Sequence, residues 1–243
     1  MSEGFGLTTT ADRSQGMAKI QERKTGERET LRRKTLREIP SWYRPYFHLA
    51  APSLFGLGII LAAIFLIKDL QGWELLTVPL TYILSNALEW HAHRDLLHTR
   101  NRFAKVLYDR HTPLHHQIYV TEDMAYRDLR EFRLILLPAY AILLVFFITS
   151  PIAVLLWWLT TPNVVYLFVA TAVGYVVGYE WLHLSYHLPK NHPIARLRLI
   201  RILKRHHATH HDPAVMQEWN LNVSIPLWDW VRGTVLKGSS ASR

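Results

Sequence analysis

The sequence contains no cysteine. Disulfides, thiolate metal sites and thiol nucleophiles are thereby excluded, and any metal must be held by nitrogen or oxygen. Acidic residues are also scarce: 19 Asp and Glu stand against 28 Lys and Arg, a formal net charge of +9 over 243 residues. In a soluble chain that excess would suggest nucleic acid. Here the basic residues flank apolar blocks, so the partner they fit is a membrane surface and no nucleic acid is expected. Apolar stretches are missing from the start of the chain, so no secretory signal is expected either.

Apolar residues make up 49% of the chain and are strongly segregated. Residues 1–41 are polar and basic, with nine Lys and Arg against six acids, and read as a mostly flexible extension that could form a polar helix in part. A membrane-embedded domain is expected over 42–235, followed by a tail at 236–243. The first span runs from about Tyr46 to Ile67 without charge over some twenty residues, the length that crosses a bilayer. A second, Trp73 to about Leu88, continues into EWHAHRDLLH. A third block, Phe132 to about Leu159, contains Pro138 and Pro151 and predicts a kink or break near Pro151. The fourth runs from Val164 to about Leu182. Trp73 and the Trp157–Trp158 pair fit an interfacial belt.

Lys and Arg number nine over 1–41, seven over 99–133 and nine over 189–243, against one and none in the two short turns. All three basic segments, and both chain termini, are therefore expected in the cytosol. The fold class that follows is all-α: an integral membrane protein of about four transmembrane helices in two hairpins, capped by a cytosolic helical His-rich region. A prokaryotic inner membrane is the expected location, with the endoplasmic reticulum as the alternative, since the chain is compact and shows no retention signal.

Fourteen histidines are present, and ten fall into four groups: His93 and His98; His111, His115 and His116; His183 and His187; His207, His210 and His211. The charge pattern places every group on the cytosolic side. Residues three or four apart share a helix face, so His183 with His187, His207 with His210 or His211, and His111 with His115 can aim two imidazoles at one point. His93 and His98, five apart, lie about 140° around an ideal helix; they bind different metals or the helix loosens there. A single ion takes about four to six ligands, so ten convergent histidines imply two ions. Imidazole suits iron, zinc, copper and nickel. His48, inside the first span, reads as structural; His91 and His192 lack spacing partners. His206 could replace His207, which is favoured because it completes HxxHH.

The order HxxxxH, HxxxHH, HxxxH, HxxHH resembles the fatty acid hydroxylase superfamily of membrane di-iron enzymes, which also includes sterol desaturases and carotenoid hydroxylases. The tail NLNVSIPLWDWVRGT is similar to the segment after the last histidine box of that family, with Pro226, Leu227, Trp228, Asp229, Gly233 and Thr234 matching and Asn220 at a position usually held by asparagine. The resemblance covers roughly 75–235. The sequence departs in having three residues between His111 and His115, where two are usual, and Leu221–Asn222 in place of an aromatic and a glycine. The wide first box and the run from HHQIY to REFRLILLP look most like the fatty acid 2-hydroxylase branch. The resemblance implies two iron ions held by the ten histidines, molecular oxygen as co-substrate, and a separate electron donor such as a b-type cytochrome or a ferredoxin.

Metal-bound imidazoles usually donate their other N–H to a carboxylate or carbonyl. Glu89, four residues before His93, and Glu180, three before His183, are the candidate carboxylates at membrane depth; Asp109 and Asp212 are further ones, and Asn220 joins them by the family match. The expected activity is hydroxylation of a membrane lipid acyl chain. Desaturation or oxidation of a sterol or carotenoid at the same centre is the alternative, and a zinc or nickel transporter or binding protein a further one. A metalloprotease would need a general base beside its ligands, as in HExxH; Leu184 and Ala208 cannot supply it. Arg196, Arg198, Arg201, Lys204 and Arg205 form a basic stretch that suits lipid head groups or an acidic electron donor.

Overall fold

Prolines, glycines and hydroxyl side chains mark where the apolar blocks start, approach one another and turn. The structure is a computed structural model. It describes the backbone of residues 10–102, 104–138 and 141–236, and the side chains of all these except 10–17 and 141–144. The 236–243 tail lies almost wholly outside the described residues.

Two units are present, Met1–Trp42 and Tyr43–Arg243. The first carries α1, Thr10–Glu38, a charged helix. Arg23 and Glu27 pair one turn apart at 3.6 Å, and Thr25 and Thr30 donate to carbonyls four residues back.

The second unit is helical throughout its described residues apart from turns and one isolated bridge, Val120 with Asp123. Its α2 spans Pro45–Leu66, with Pro45 in the first turn, where a missing N–H costs nothing. The helix α3, Thr77–Ala92, has only 16 residues. A 3₁₀ turn at Gly72–Leu76 precedes it and a π-turn at His93–Leu97 follows, so the helical backbone is continuous from Gly72 to Leu97. Short helices α4 (Lys105–Arg110), α5 (His116–Ile118) and α6 (Phe132–Ile135) fill the polar segment, with a second π-turn at His111–His115. Then come α7 (Ala141–Leu159), α8 (Pro162–Tyr186), α9 (Arg198–His210) and α10 (Leu227–Arg232).

Among the described residues, α2 and α8 are long and apolar enough to cross a membrane; the apolar helix Val145–Leu159 is shorter. At 1.5 Å per residue α2 and α8 reach about 33 and 37 Å, against a hydrocarbon core of about 30 Å. Of the four expected spans, these two meet the length test as single regular helices.

The expected break near Pro151 is not there. The backbone leaves the helix after Ile135, at Leu136 (ψ 149°), and α7 runs through Pro151 unbroken. Proline removes the N–H that would reach Phe147, and the Ser150 hydroxyl shares its one hydrogen between that carbonyl, at 3.0 Å, and Phe146 O, at 2.8 Å. The real break is secured by side chains from elsewhere. Glu180 accepts from Leu137 N at 3.1 and 3.2 Å, and His48 Nε2 donates to Leu137 O at 2.9 Å. His48 is thus structural, its Nδ1 accepting from Tyr43 Oη at 2.7 Å.

Helix α8 is the central element, packed by α2, α3 and α7. Small residues let such helices approach closely. Gly56 of α2 shows the requirement: a Cβ there would lie 2.7 Å from Val177 Cγ2 of α8. At the ends of α2 and α7 the two connecting turns are latched together. Asn163 Nδ2 donates to Glu74 at 2.9 Å and to Lys68 O at 2.7 Å, and Thr161 Oγ1 donates to the same buried carboxylate. At the opposite end of the bundle α3 and α8 grip the C-terminal segment. Asn86 Nδ2 donates to Ile225 O at 2.8 Å, and Glu89 accepts from Ser224 N at 3.0 Å, from Val223 N and from Tyr175 Oη.

Candidate metal centre

The ten grouped histidines come from four stretches of chain that meet at one end of the bundle. They sort into two sets of five: His93, His98, His111, His116 and His210, and His115, His183, His187, His207 and His211. Within each set one nitrogen per ring lies within 4.8 Å of all the others, and all ten residues are buried. The sets abut: His116 and His211 stack with centroids 4.2 Å apart, and His111 and His115 at 5.2 Å.

Local backbone explains the sorting. Over His93–Leu97 the helix loosens into a π-turn, closed by His98 N donating to His93 O at 3.0 Å. The i→i+5 bond widens the turn, and the two rings, which an ideal helix would splay, join one set. The second π-turn, His111–His115, does the same for His111 and His116. The expected pairing of His111 with His115 is therefore corrected: His111 goes with His116, while His115 points to the other set. In α8 and α9 the ordinary one-turn spacing holds, joining His183 with His187 and His207 with His211, while His210 crosses to the first set. His207, fully buried, is the cluster member; His206 Nε2 instead meets Asp229 Oδ2 at 3.0 Å.

The hydrogen bonds fix the tautomers. Nδ1 of His93 faces Leu221 O at 2.5 Å, that of His210 Trp219 O at 3.0 Å, and that of His211 Tyr119 O at 2.7 Å. His115 and His187 likewise face Leu134 O at 3.0 Å and Met124 O at 2.7 Å. A carbonyl only accepts, so each Nδ1 carries the proton and each Nε2 presents a lone pair. Thr112 spends its one hydrogen on Leu97 O at 2.7 Å, so it accepts from His98 Nδ1 at 3.2 Å. His98 Nε2 and His210 Nε2 therefore face each other at 3.0 Å with two lone pairs and no proton between them. In the second set Nε2 of His115, His183 and His187 is buried without a hydrogen-bond partner. Facing lone pairs and orphaned acceptors are what a cation satisfies; the donor set fits a metal ion in each group.

Burial, reinforced by neighbouring rings, keeps these imidazoles neutral. It pushes His93 down to about 4, His211 to about 3 and His98 to about 2, and holds His111, His115, His116, His207 and His210 well below the ordinary value. Neutral rings are the form that ligates.

The expected carboxylate partners are not used. None of Glu89, Glu180, Asp109 and Asp212 bonds a cluster imidazole. Glu89 and Glu180 hold backbone, as described; Asp109 pairs with Arg100 at 3.4 Å, and Asp212 accepts from Ala214 N at 3.0 Å. Main-chain carbonyls take the role instead, because the segments that cross the site run close enough to turn C=O groups onto the rings. Asn220 also touches no cluster ring. It sits at φ 55°, a region asparagine tolerates, and ties His206 O to Leu236 N and O.

Asp229 carries a role that its family match alone does not assign. Fully buried, it accepts from Trp90 Nε1 (3.0 Å), Leu221 N (3.0 Å), Asn222 N (2.9 Å) and Thr234 Oγ1 (2.7 Å). Burial raises its pKa, but these bonds and His206 outweigh that and hold it below the usual range. Asp229 thereby fixes the loop whose Leu221 carbonyl orients His93. An acid placed between tryptophans in PLWDW was the signal.

A small cavity touches both sets. His111 and His183 line it, with Leu97, Leu134, Ile135 and Tyr179 among the apolar walls and Arg110 at its side.

A family model described as fatty acid hydroxylase matches residues 78–234, more than half of the chain. No curated protein and no solved structure matches the sequence.

Proposed function

The chain belongs to the fatty acid hydroxylase family, and on that premise we propose that it is an oxygen-dependent, di-iron membrane hydroxylase acting on a lipid acyl chain or a related hydrophobic substrate. The observation that carries the proposal is the pair of buried five-imidazole sets in contact with each other. Each set of five neutral nitrogens would hold one ion. When bound, two irons would supply the redox chemistry that an unactivated C–H bond demands and that side chains alone lack. The balance is RH + O₂ + 2 e⁻ + 2 H⁺ → ROH + H₂O. The electrons would come from a separate donor, a b-type cytochrome or a ferredoxin with its reductase.

The chain's own residues have three tasks. The carbonyls of Trp219, Leu221, Tyr119, Met124 and Leu134 aim the rings before any ion arrives, so little reorganisation accompanies binding. Apolar side chains around His111 and His183 give a hydrocarbon a dry approach to both sets at once. The helices α2 and α8 place that approach at the end of the bundle, where an acyl chain can enter from the bilayer. On the charge pattern, this end and both termini face the cytosol. A transporter would spread ligands along its helices; here both sets sit at one end.

The test is to express the full chain, measure bound metals, and profile lipids. Two irons per chain and a hydroxylated lipid that disappears with His187→Ala are expected. Zinc in place of iron, with lipids unchanged by that substitution, would refute the hydroxylase reading.

A further inference from the structure

From α9 and the turn before it, we infer that this helix lies in the plane of the membrane on a surface of anionic lipid head groups. The inference rests on reading α8 as a span and not on the metal chemistry. The inner face of α9 is settled: Ile200, Leu203, His207 and His210 are buried. Ile200 and Leu203 pack with Tyr186 at the end of α8, and Lys204 Nζ donates to Leu188 O at 3.3 Å. Helix α9 is therefore seated where α8 would leave the bilayer.

The opposite face has no ion-pair partner among the described residues. At 100° per residue, Arg201, Arg205 and Arg198 fall in one sector and Ile202 and Leu199 in the next. Leu199 is 59% exposed and Ile202 44%, and Leu197, just before the helix, is 56% exposed. The arginines make no ion pair among the described residues, and Arg196 extends their row. A basic strip beside an apolar strip matches the two chemistries of a lipid boundary, phosphate above and acyl chain below. An acidic redox protein would be served by the basic strip but would leave Leu197, Leu199 and Ile202 against water or against its own charges. Lipid accounts for both strips.

The seating would matter because α9 and its cap residue His211 give His207 and His211 to one set and His210 to the other. Its height on the membrane sets the height of both sets relative to the acyl chains.

The absence of cysteine makes the experiment clean. A nitroxide is attached at Leu199→Cys in the full chain, held in nanodiscs of phosphatidylcholine alone or mixed with phosphatidylglycerol. Collisions with oxygen, which partitions into lipid, are compared with collisions with a water-soluble nickel chelate. With phosphatidylglycerol the label should favour oxygen. The oxygen-to-nickel ratio should fall severalfold in phosphatidylcholine alone, in high salt, which screens head-group attraction, or with Arg198→Gln, Arg201→Gln and Arg205→Gln combined. Circular dichroism and bound metal should not change. A label open to nickel in both lipids overturns the inference, and so does protection that appears only when an acidic redox protein is added. If Leu199→Cys or the triple variant fails to fold, Ile202→Cys with the lipid and salt arms gives the same decision.

Discussion

In one histidine set the paired residues sit four apart, His183 with His187 and His207 with His211. In the other they sit five apart, His93 with His98 and His111 with His116. The first spacing needs only a regular helix, whereas the second needs the two π-turns. The supports differ as well. His115, His187 and His211 are aimed by carbonyls of the segment between α3 and α7, at Leu134, Met124 and Tyr119. His93 and His210 are aimed by Leu221 and Trp219, from the C-terminal fold-back. Two sites of the same composition, sharing the 111–116 and 207–211 stretches, therefore take most of their supporting carbonyls from separate stretches of backbone, and should be separable by mutation.

The largest separation is expected from His187→Ala. It removes a ligand and leaves Met124 O without its donor, so the second set should lose its metal while the first retains its own. Metal analysis should give half the wild-type content, with hydroxylation abolished because the proposed reaction needs both ions. Loss of all metal would mean that the sets fill only together.

Proton competition comes next, and it should strike both sets. In the metal-free protein the folded-state values of about 4, 3 and 2 for His93, His211 and His98 lie below an unfolded value of about 6.5. Between those limits the unfolded chain binds more protons, so stability falls as pH falls below about 6.5, and it stops falling below the folded values. Each such ring costs about 1.4 kcal/mol per pH unit inside that window. The melting temperature of the metal-free protein should therefore drop steeply between pH 6.5 and 5, and bound metal should oppose the drop.

Asp229→Asn should act on the first set alone. It removes one acceptor oxygen from the loop that carries Leu221, and such supporting groups are typically worth 10–100-fold in metal affinity. A competition titration should show that loss at one site and none at the other. Equal weakening of both would mean that Asp229 supports the whole cap and not His93 in particular.

How much of this was legible in the sequence depended on the kind of interaction. Side-chain type and spacing were, so all ten cluster histidines and the favouring of His207 over His206 could be read from four short motifs. The assignment of each ring to a set could not, because HRDLLH and HTPLHH on an ideal helix give the wrong angles, and only the π-turns reconcile them. The rings' supports were misassigned to Glu89, Glu180, Asp109 and Asp212 because a carboxylate has a letter in the sequence and a main-chain carbonyl has none. The break at Leu136 was hidden for a similar reason. Pro151 announces itself, whereas the capture of Leu137 by Glu180 and His48 joins residues far apart in the chain.

The finest test of the separation is Thr112→Val. Valine copies the shape of threonine but cannot accept, so His98 Nδ1–H loses the oxygen it meets at 3.2 Å while packing is kept. That bond is longer than those to Leu221 and Trp219. The expected cost is therefore the lower end of the range for such supports, about tenfold in metal affinity, and at the first set only. Thr112→Ser should restore it, since the hydroxyl alone carries the effect. If serine does not restore it, the γ-methyl and not the hydrogen bond is what Thr112 contributes. The tautomer of His98 would then rest on its facing ring and the ion between them.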